Sequence, residues 1–145
     1  MTTYSIGEVA KRTGLSTYTL RFYEKEGLLP SIRKNSAGLR RFSEPDLRWL
    51  EIIECLKSMG MPLKAIKHYL DLYKQGATTV MERKRMILEQ KEHLEEQMKA
   101  LQDNIERINF KIKYYELVDE VGESQVFEEH QELKAEYERL FHLKK

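Results

Sequence analysis

Cysteine is almost missing from this chain: Cys55 is the only one in 145 residues, so no internal disulfide can form and a reducing, cytoplasmic setting is expected. Proline (three) and glycine (seven) are too sparse for a turn-rich sandwich or barrel. No apolar run approaches the roughly 20 residues of a membrane span, and the first 15 residues lack a secretory apolar stretch. A soluble, unprocessed chain without membrane contact is expected. There is no glycine-rich phosphate loop and no motif grouping a nucleophile, a base and an orienting residue, so no enzyme and no catalytic residue are expected. The four histidines, His68, His93, His130 and His142, show no short pairing, which argues against a metal site or cofactor. What is present is charge, 34% of residues, beside 41% apolar residues, a balance suited to helices that keep one face in water.

The net charge of +1 hides an asymmetry. Between Lys11 and Arg41 lie eight basic residues (Lys11, Arg12, Arg21, Lys25, Arg33, Lys34, Arg40, Arg41) against Glu24 and Glu26, and the chain from Phe42 onward is acidic. A basic N-terminal patch on an acidic remainder suits localised phosphate binding, although a merely solvated surface reads the same way.

Within the basic segment, Ser5 with Glu8 three residues on marks a helix start, and Gly14 marks its end. Ser16 starts a second helix that carries Leu20 and Tyr23 inward and stops at Gly27. Two short helices about a glycine turn form a helix-turn-helix pattern. Residues 31–34 and 39–42 then flank the turn-rich Asn35-Ser36-Ala37-Gly38, which predicts a small hairpin, a wing. Ser43, Pro45 and Asp46 open a third helix that ends at Gly60, and Pro62 opens a fourth that ends near Gly76.

From Thr79 to about Val118 there is neither glycine nor proline. Leu94, Met98, Leu101, Ile105, Ile108, Ile112 and Tyr115 recur at alternating spacings of four and three, the repeat of a helix paired with another long helix. The chain holds no second equal helix, so the partner is another copy of itself and these seven are the dimerisation residues. After Gly122, the residues Val126, Phe127, His130, Leu133, Tyr137, Leu140 and Phe141 predict one short amphipathic helix, packed against the dimer seam or the DNA-binding core or serving as a ligand lid. The organisation read is 1–76, winged helix-turn-helix; 77–121, dimerisation helix; 122–145, C-terminal helix. The fold class is mainly α.

Thr17, Tyr18 and Thr19 sit at the N-terminal end of the second helix, where a recognition helix meets base edges in the major groove. Arg21, the Tyr23 hydroxyl, Arg33, Arg40 and Arg41 are the candidate phosphate contacts, arginine for its bidentate fork. Tyr23 reads equally as a core aromatic with a wet hydroxyl.

Tyr4-Ser5-Ile6-Gly7-Glu8-Val9-Ala10, Leu20-Arg21-Phe22-Tyr23-Glu24, Gly27-Leu28-Leu29 and Gly38-Leu39-Arg40-Arg41-Phe42 with Asp46 occur in order and at characteristic separations. Over roughly residues 1–75 the chain resembles the MerR family of bacterial transcriptional regulators. The resemblance implies a winged-helix homodimer joined by an antiparallel coiled coil. It also implies double-stranded promoter DNA with a pseudo-palindromic operator as partner, and an over-long spacer that the protein bends and untwists for RNA polymerase. The cysteines that metal-sensing members carry around the long helix are missing here, and the 23 residues after Gly122 cannot by themselves enclose a drug-sized cavity. A single cysteine in the third helix is similar to the aldehyde- and electrophile-responsive, AdhR/NmlR-like branch, which makes Cys55 the candidate sensing residue; its alternative reading is a buried small hydrophobe beside Ile52, Leu56 and Met59. Two further alternatives stand: an architectural DNA-binding protein without an inducer, and a regulator with a non-covalent small-molecule effector.

Overall fold

The computed structural model describes residues 2–30 and 32–141; Ser31, in the first predicted wing strand, and His142 lie outside the described residues. The chain divides into two compact units, Met1–Lys91 and Glu92–Lys145.

In the first unit, α1 (Ile6–Thr13) begins where the sequence places it. The Ser5 hydroxyl accepts from Glu8 N–H at 3.1 Å, and the Glu8 carboxylate accepts from Ser5 N–H at 3.1 Å. Gly14 closes α1 at φ 76°, a left-handed conformation that lets its N–H reach the Ala10 carbonyl at 2.9 Å. The Ser16 hydroxyl caps α2 (Thr17–Lys25) by accepting from Thr19 N–H at 3.0 Å. Leu28, Leu29 and Ile32 after α2 are buried, so the connector is core rather than surface loop. Trp49 Nε1 fixes it by donating to the Leu28 carbonyl at 2.6 Å.

The wing forms. Gly38 N–H donates to the Asn35 carbonyl at 2.9 Å, Lys34 bridges Arg40 antiparallel, and Arg41 N–H donates to the Arg33 carbonyl at 2.8 Å. A pairing not legible in the sequence joins it: β1 (Tyr4–Ser5) runs antiparallel to β2 (Arg41–Phe42), Tyr4 opposite Phe42 and Ser5 opposite Arg41. The N-terminus thereby clamps the base of the wing.

Asp46 holds the start of α3 (Glu44–Ser58), its carboxylate accepting from Ser43 N–H at 2.8 Å and Ser43 Oγ at 2.9 Å. Val9, Leu20, Tyr23, Phe42, Leu50 and Ile53 bury against Ile66 and Leu70 of α4 (Leu63–Gln75) to make one core. A 3-10 turn over Gly76–Thr79 leads into α5 (Val80–Val121). Thr79 Oγ1 lies 2.6 Å from the Leu72 carbonyl and accepts from Arg83 Nε at 3.0 Å. Met86 and Ile87 pack on the core, and Gln90 Nε2 donates to the Met59 carbonyl at 2.7 Å. The start of α5, where the apolar repeat is weakest, is thus covered by its own domain.

In the second unit the predicted single C-terminal helix is two, α6 (Val126–Glu129) and α7 (Gln131–Leu140). His130 separates them with φ −125° and ψ 77°, outside helical geometry. Their apolar faces fold back on the distal part of α5, where Phe110, Val126 and Leu133 are buried among Tyr114, Leu117, Val121, Phe127 and Phe141. Phe110, Tyr114, Leu117 and Val121 form a second apolar stripe on α5, displaced two residues from Ile108, Ile112 and Tyr115 and so about 200° round the helix. The opposite stripe is bare: Leu94, Met98, Leu101, Ile105, Ile108, Ile112 and Tyr115 are all 41% or more exposed.

Candidate nucleic-acid interface

The first unit presents α2 and the wing with a common basic surface. Lys11, Arg12, Arg21, Lys25, Arg33 and Lys34 are exposed, and Arg40 and Arg41 are half-buried. At the exposed start of α2, Tyr18 projects with 78% of its surface free, whereas Thr17 and Thr19 are half-buried. Thr19 Oγ1 lies 2.9 Å from Ser16 Oγ, within the cap. Among the described residues, Arg21 and Arg33 make no side-chain hydrogen bond or ion pair with the protein, so their guanidinium groups are available to an external anion.

The other candidates serve the scaffold as well. Arg40 Nε pairs with the Glu24 carboxylate at 3.2 Å and ties the wing to α2. Arg41 donates from Nε to Thr3 Oγ1 and from Nη2 to the Thr3 carbonyl, both at 3.1 Å, and holds the N-terminal strand. Tyr23 is buried, and its hydroxyl donates to Glu54 Oε1 at 2.9 Å while accepting from Lys57 Nζ at 3.1 Å. Burial pushes the Tyr23 phenol above its ordinary value, and the hydrogen bond to Tyr23 raises the Lys57 ammonium. Glu54 and Lys57, which local sequence pattern did not single out, thus tie α2 to α3 through the Tyr23 hydroxyl. Lys11 and Arg12, at the end of α1, complete the basic surface, and Arg12 lies 4.7 Å from the Tyr4 ring centroid.

Cys55 lies on the exposed face of α3, not in the core with Leu56. The buried-hydrophobe reading of this residue therefore fails within the chain: the 100° step between neighbours turns Cys55 outward when Leu56 turns in. Among the described residues no three His, Cys, Asp or Glu side chains converge to hold a metal ion, and no helix is long and apolar enough to cross a membrane.

A recognition helix open at its N-terminal end, a braced wing and a shared basic face define a DNA-binding domain of the winged helix-turn-helix class. Comparison with known proteins carries this to a family. Residues 4–72 match the MerR HTH family regulatory protein model, and residues 47–109 match the model for MerR, DNA binding. An uncharacterised HTH-type transcriptional regulator of Haemophilus influenzae is 37% identical over 120 residues, 83% of this chain and 89% of the relative. The HTH-type transcriptional regulator AdhR of Bacillus subtilis is 36% identical over 90 residues, 62% of this chain and 64% of AdhR. Among solved structures, HiNmlR, a MerR family regulator lacking the sensor domain, bound to promoter DNA, superposes with a TM-score of 0.64 at 36% identity, covering 83% of this chain and 96% of that one. The chain belongs to the MerR family. It is a DNA-binding transcriptional regulator, close to the NmlR and AdhR members.

Proposed function

We propose that this regulator works as a homodimer that grips a pseudo-palindromic promoter with two winged domains and distorts an over-long spacer so that RNA polymerase can use it. The bare stripe from Leu94 to Tyr115 carries the reading: seven apolar side chains at coiled-coil spacing face water in the single chain. One face of the same helix is already covered by α6 and α7, so this second face calls for a second long helix. The solved promoter complex of HiNmlR supports the DNA partner. On the DNA, Tyr18 together with Thr17 reads base edges, Arg21 and Arg33 bind phosphate, and Arg40 and Arg41 hold the wing in register while offering their remaining N–H groups. Deformation of the spacer is indirect readout, the two end contacts offsetting the strain at base pairs never touched.

Cys55 is the sensing residue in this proposal. Its exposure lets a small aldehyde or other electrophile reach the thiol from water, and addition to it biases the packing of α3. The test compares promoter output under formaldehyde or methylglyoxal in the wild type and in Cys55→Ala. Loss of response with DNA binding intact supports the assignment, and an unchanged response removes it. Sedimentation equilibrium tests the dimer: a single chain at micromolar concentration with operator DNA present overturns the whole mechanism.

A further inference from the structure

The second unit holds an aromatic cavity that DNA binding does not use and that shares only Tyr115 with the bare stripe of α5. A hollow of about 300 Å³ opens between α5 and the two C-terminal helices, lined by the rings of Phe110, Tyr114, Tyr115, Phe127 and Tyr137 together with Lys111 and Glu123. That volume lies at the lower end of the range for small-molecule sites, about 300–1,000 Å³. The residues after Gly122 supply only one wall, and α5 supplies the other, which is why their small number did not preclude a cavity. The walls are tightly coupled rings: Tyr114 to Phe127 is 5.6 Å between centroids, Phe127 to Tyr137 5.5 Å and Phe110 to Tyr137 5.8 Å.

We propose that this cavity binds an uncharged, flat aromatic compound of one or two rings with hydrogen-bonding groups on its edge. Its ring stacks against those of Phe127 and Tyr137, and its polar edge meets the tyrosine hydroxyls of the lining. Charge in the lining gives an ion no advantage. Lys111 and Glu123 carry opposite charges that cancel, so an ion would lose hydration there with no net opposite charge to offset it, a cost that a neutral ligand does not carry. Lys111 Nζ already lies 5.0 Å from the Phe141 ring centroid, engaged by the protein. Burial, with the nearby Glu123 charge, holds the Tyr114 phenol, already neutral at pH 7, above its ordinary value. All seven lining residues come from one chain, and Tyr115 alone also belongs to the bare stripe.

Three bicyclic probes matched in size test it on the full-length protein: 2-naphthol (neutral), 2-naphthalenesulfonate (anion) and N-methylquinolinium (cation), titrated by isothermal calorimetry and by NMR. Saturable 2-naphthol binding that shifts the ring resonances of Tyr114 and Tyr137, at least about tenfold tighter than either ion, supports the proposal. Tyr137→Leu is expected to weaken 2-naphthol by about two- to tenfold. Glu123→Gln should strengthen 2-naphthalenesulfonate relative to 2-naphthol, and Lys111→Gln should do the same for N-methylquinolinium, because each leaves an uncancelled charge in the lining. The absence of saturable 2-naphthol binding to the wild type overturns the site, a result independent of any variant's folding. Tighter binding of either ion overturns the assignment of an uncharged ligand.

Discussion

Tyr23 shows how one residue can be read correctly by composition and still be misplaced in its chemistry. Its ring is core and its hydroxyl is held between Glu54 and Lys57, 31 and 34 residues further along, partners that no local pattern could reveal. Removing that hydroxyl in Tyr23→Phe should cost about 1 kcal/mol and lower Tm by about 3 °C, while operator affinity at fixed salt changes little. Both groups have folded-state pKa values raised above the ordinary 10.0 and 10.5, so their stabilisation is full below pH 10 and fades as pH rises through the raised values. The Tm gap between the wild type and Tyr23→Phe should therefore narrow in alkaline solution, as followed by circular dichroism. Arg21 behaves differently. Arg21→Ala should weaken binding to all DNA sequences alike and reduce the slope of log affinity against log salt by about one unit in a fluorescence-anisotropy titration. Arg40→Ala should do the same and also lower Tm, because it releases Glu24 and frees the wing from α2.

Helix starts depend on residues three apart, so α1, α2 and α3 were legible in the sequence. Ser5→Ala should lose about 1 kcal/mol of stability in chemical denaturation. The Ser5 N–H holds the Glu8 carboxyl below its ordinary 4.5, so its contribution is present above pH 4.5 and is lost as pH falls through the depressed value. Glu8→Gln, which removes the titrating carboxyl, should show a weaker acid dependence than the wild type. The wing hairpin was equally legible from its turn. The β1–β2 clamp was not, because two residues carry no periodicity and their partners lie almost 40 positions away. The break at His130 was hidden for the opposite reason: apolar spacing runs through Val126, Leu133 and Tyr137 without a glycine or proline to mark the interruption. On α5 the heptad stripe stood out, whereas Phe110, Tyr114, Leu117 and Val121 were masked because they interleave with it.

For the molecule as a whole, the basic segment and the repeat pointed to DNA and to self-association, while the cavity beside α6 and α7 depends on a fold-back that periodicity does not encode. Leu101→Asp places a charge in the middle of the bare stripe without touching either core. It should shift sedimentation toward a single chain and abolish cooperative operator binding, with far-ultraviolet circular dichroism of the winged domain retained. Under the proposed pairing, that uncovered stripe also shapes the response of a promoter to supply. When chains are scarcer than the concentration at which they pair, assembled regulator grows as roughly the square of chain number, so doubling synthesis raises the competent species about fourfold. A cell could then convert a small change in translation into a sharp threshold of transcription, with no additional component.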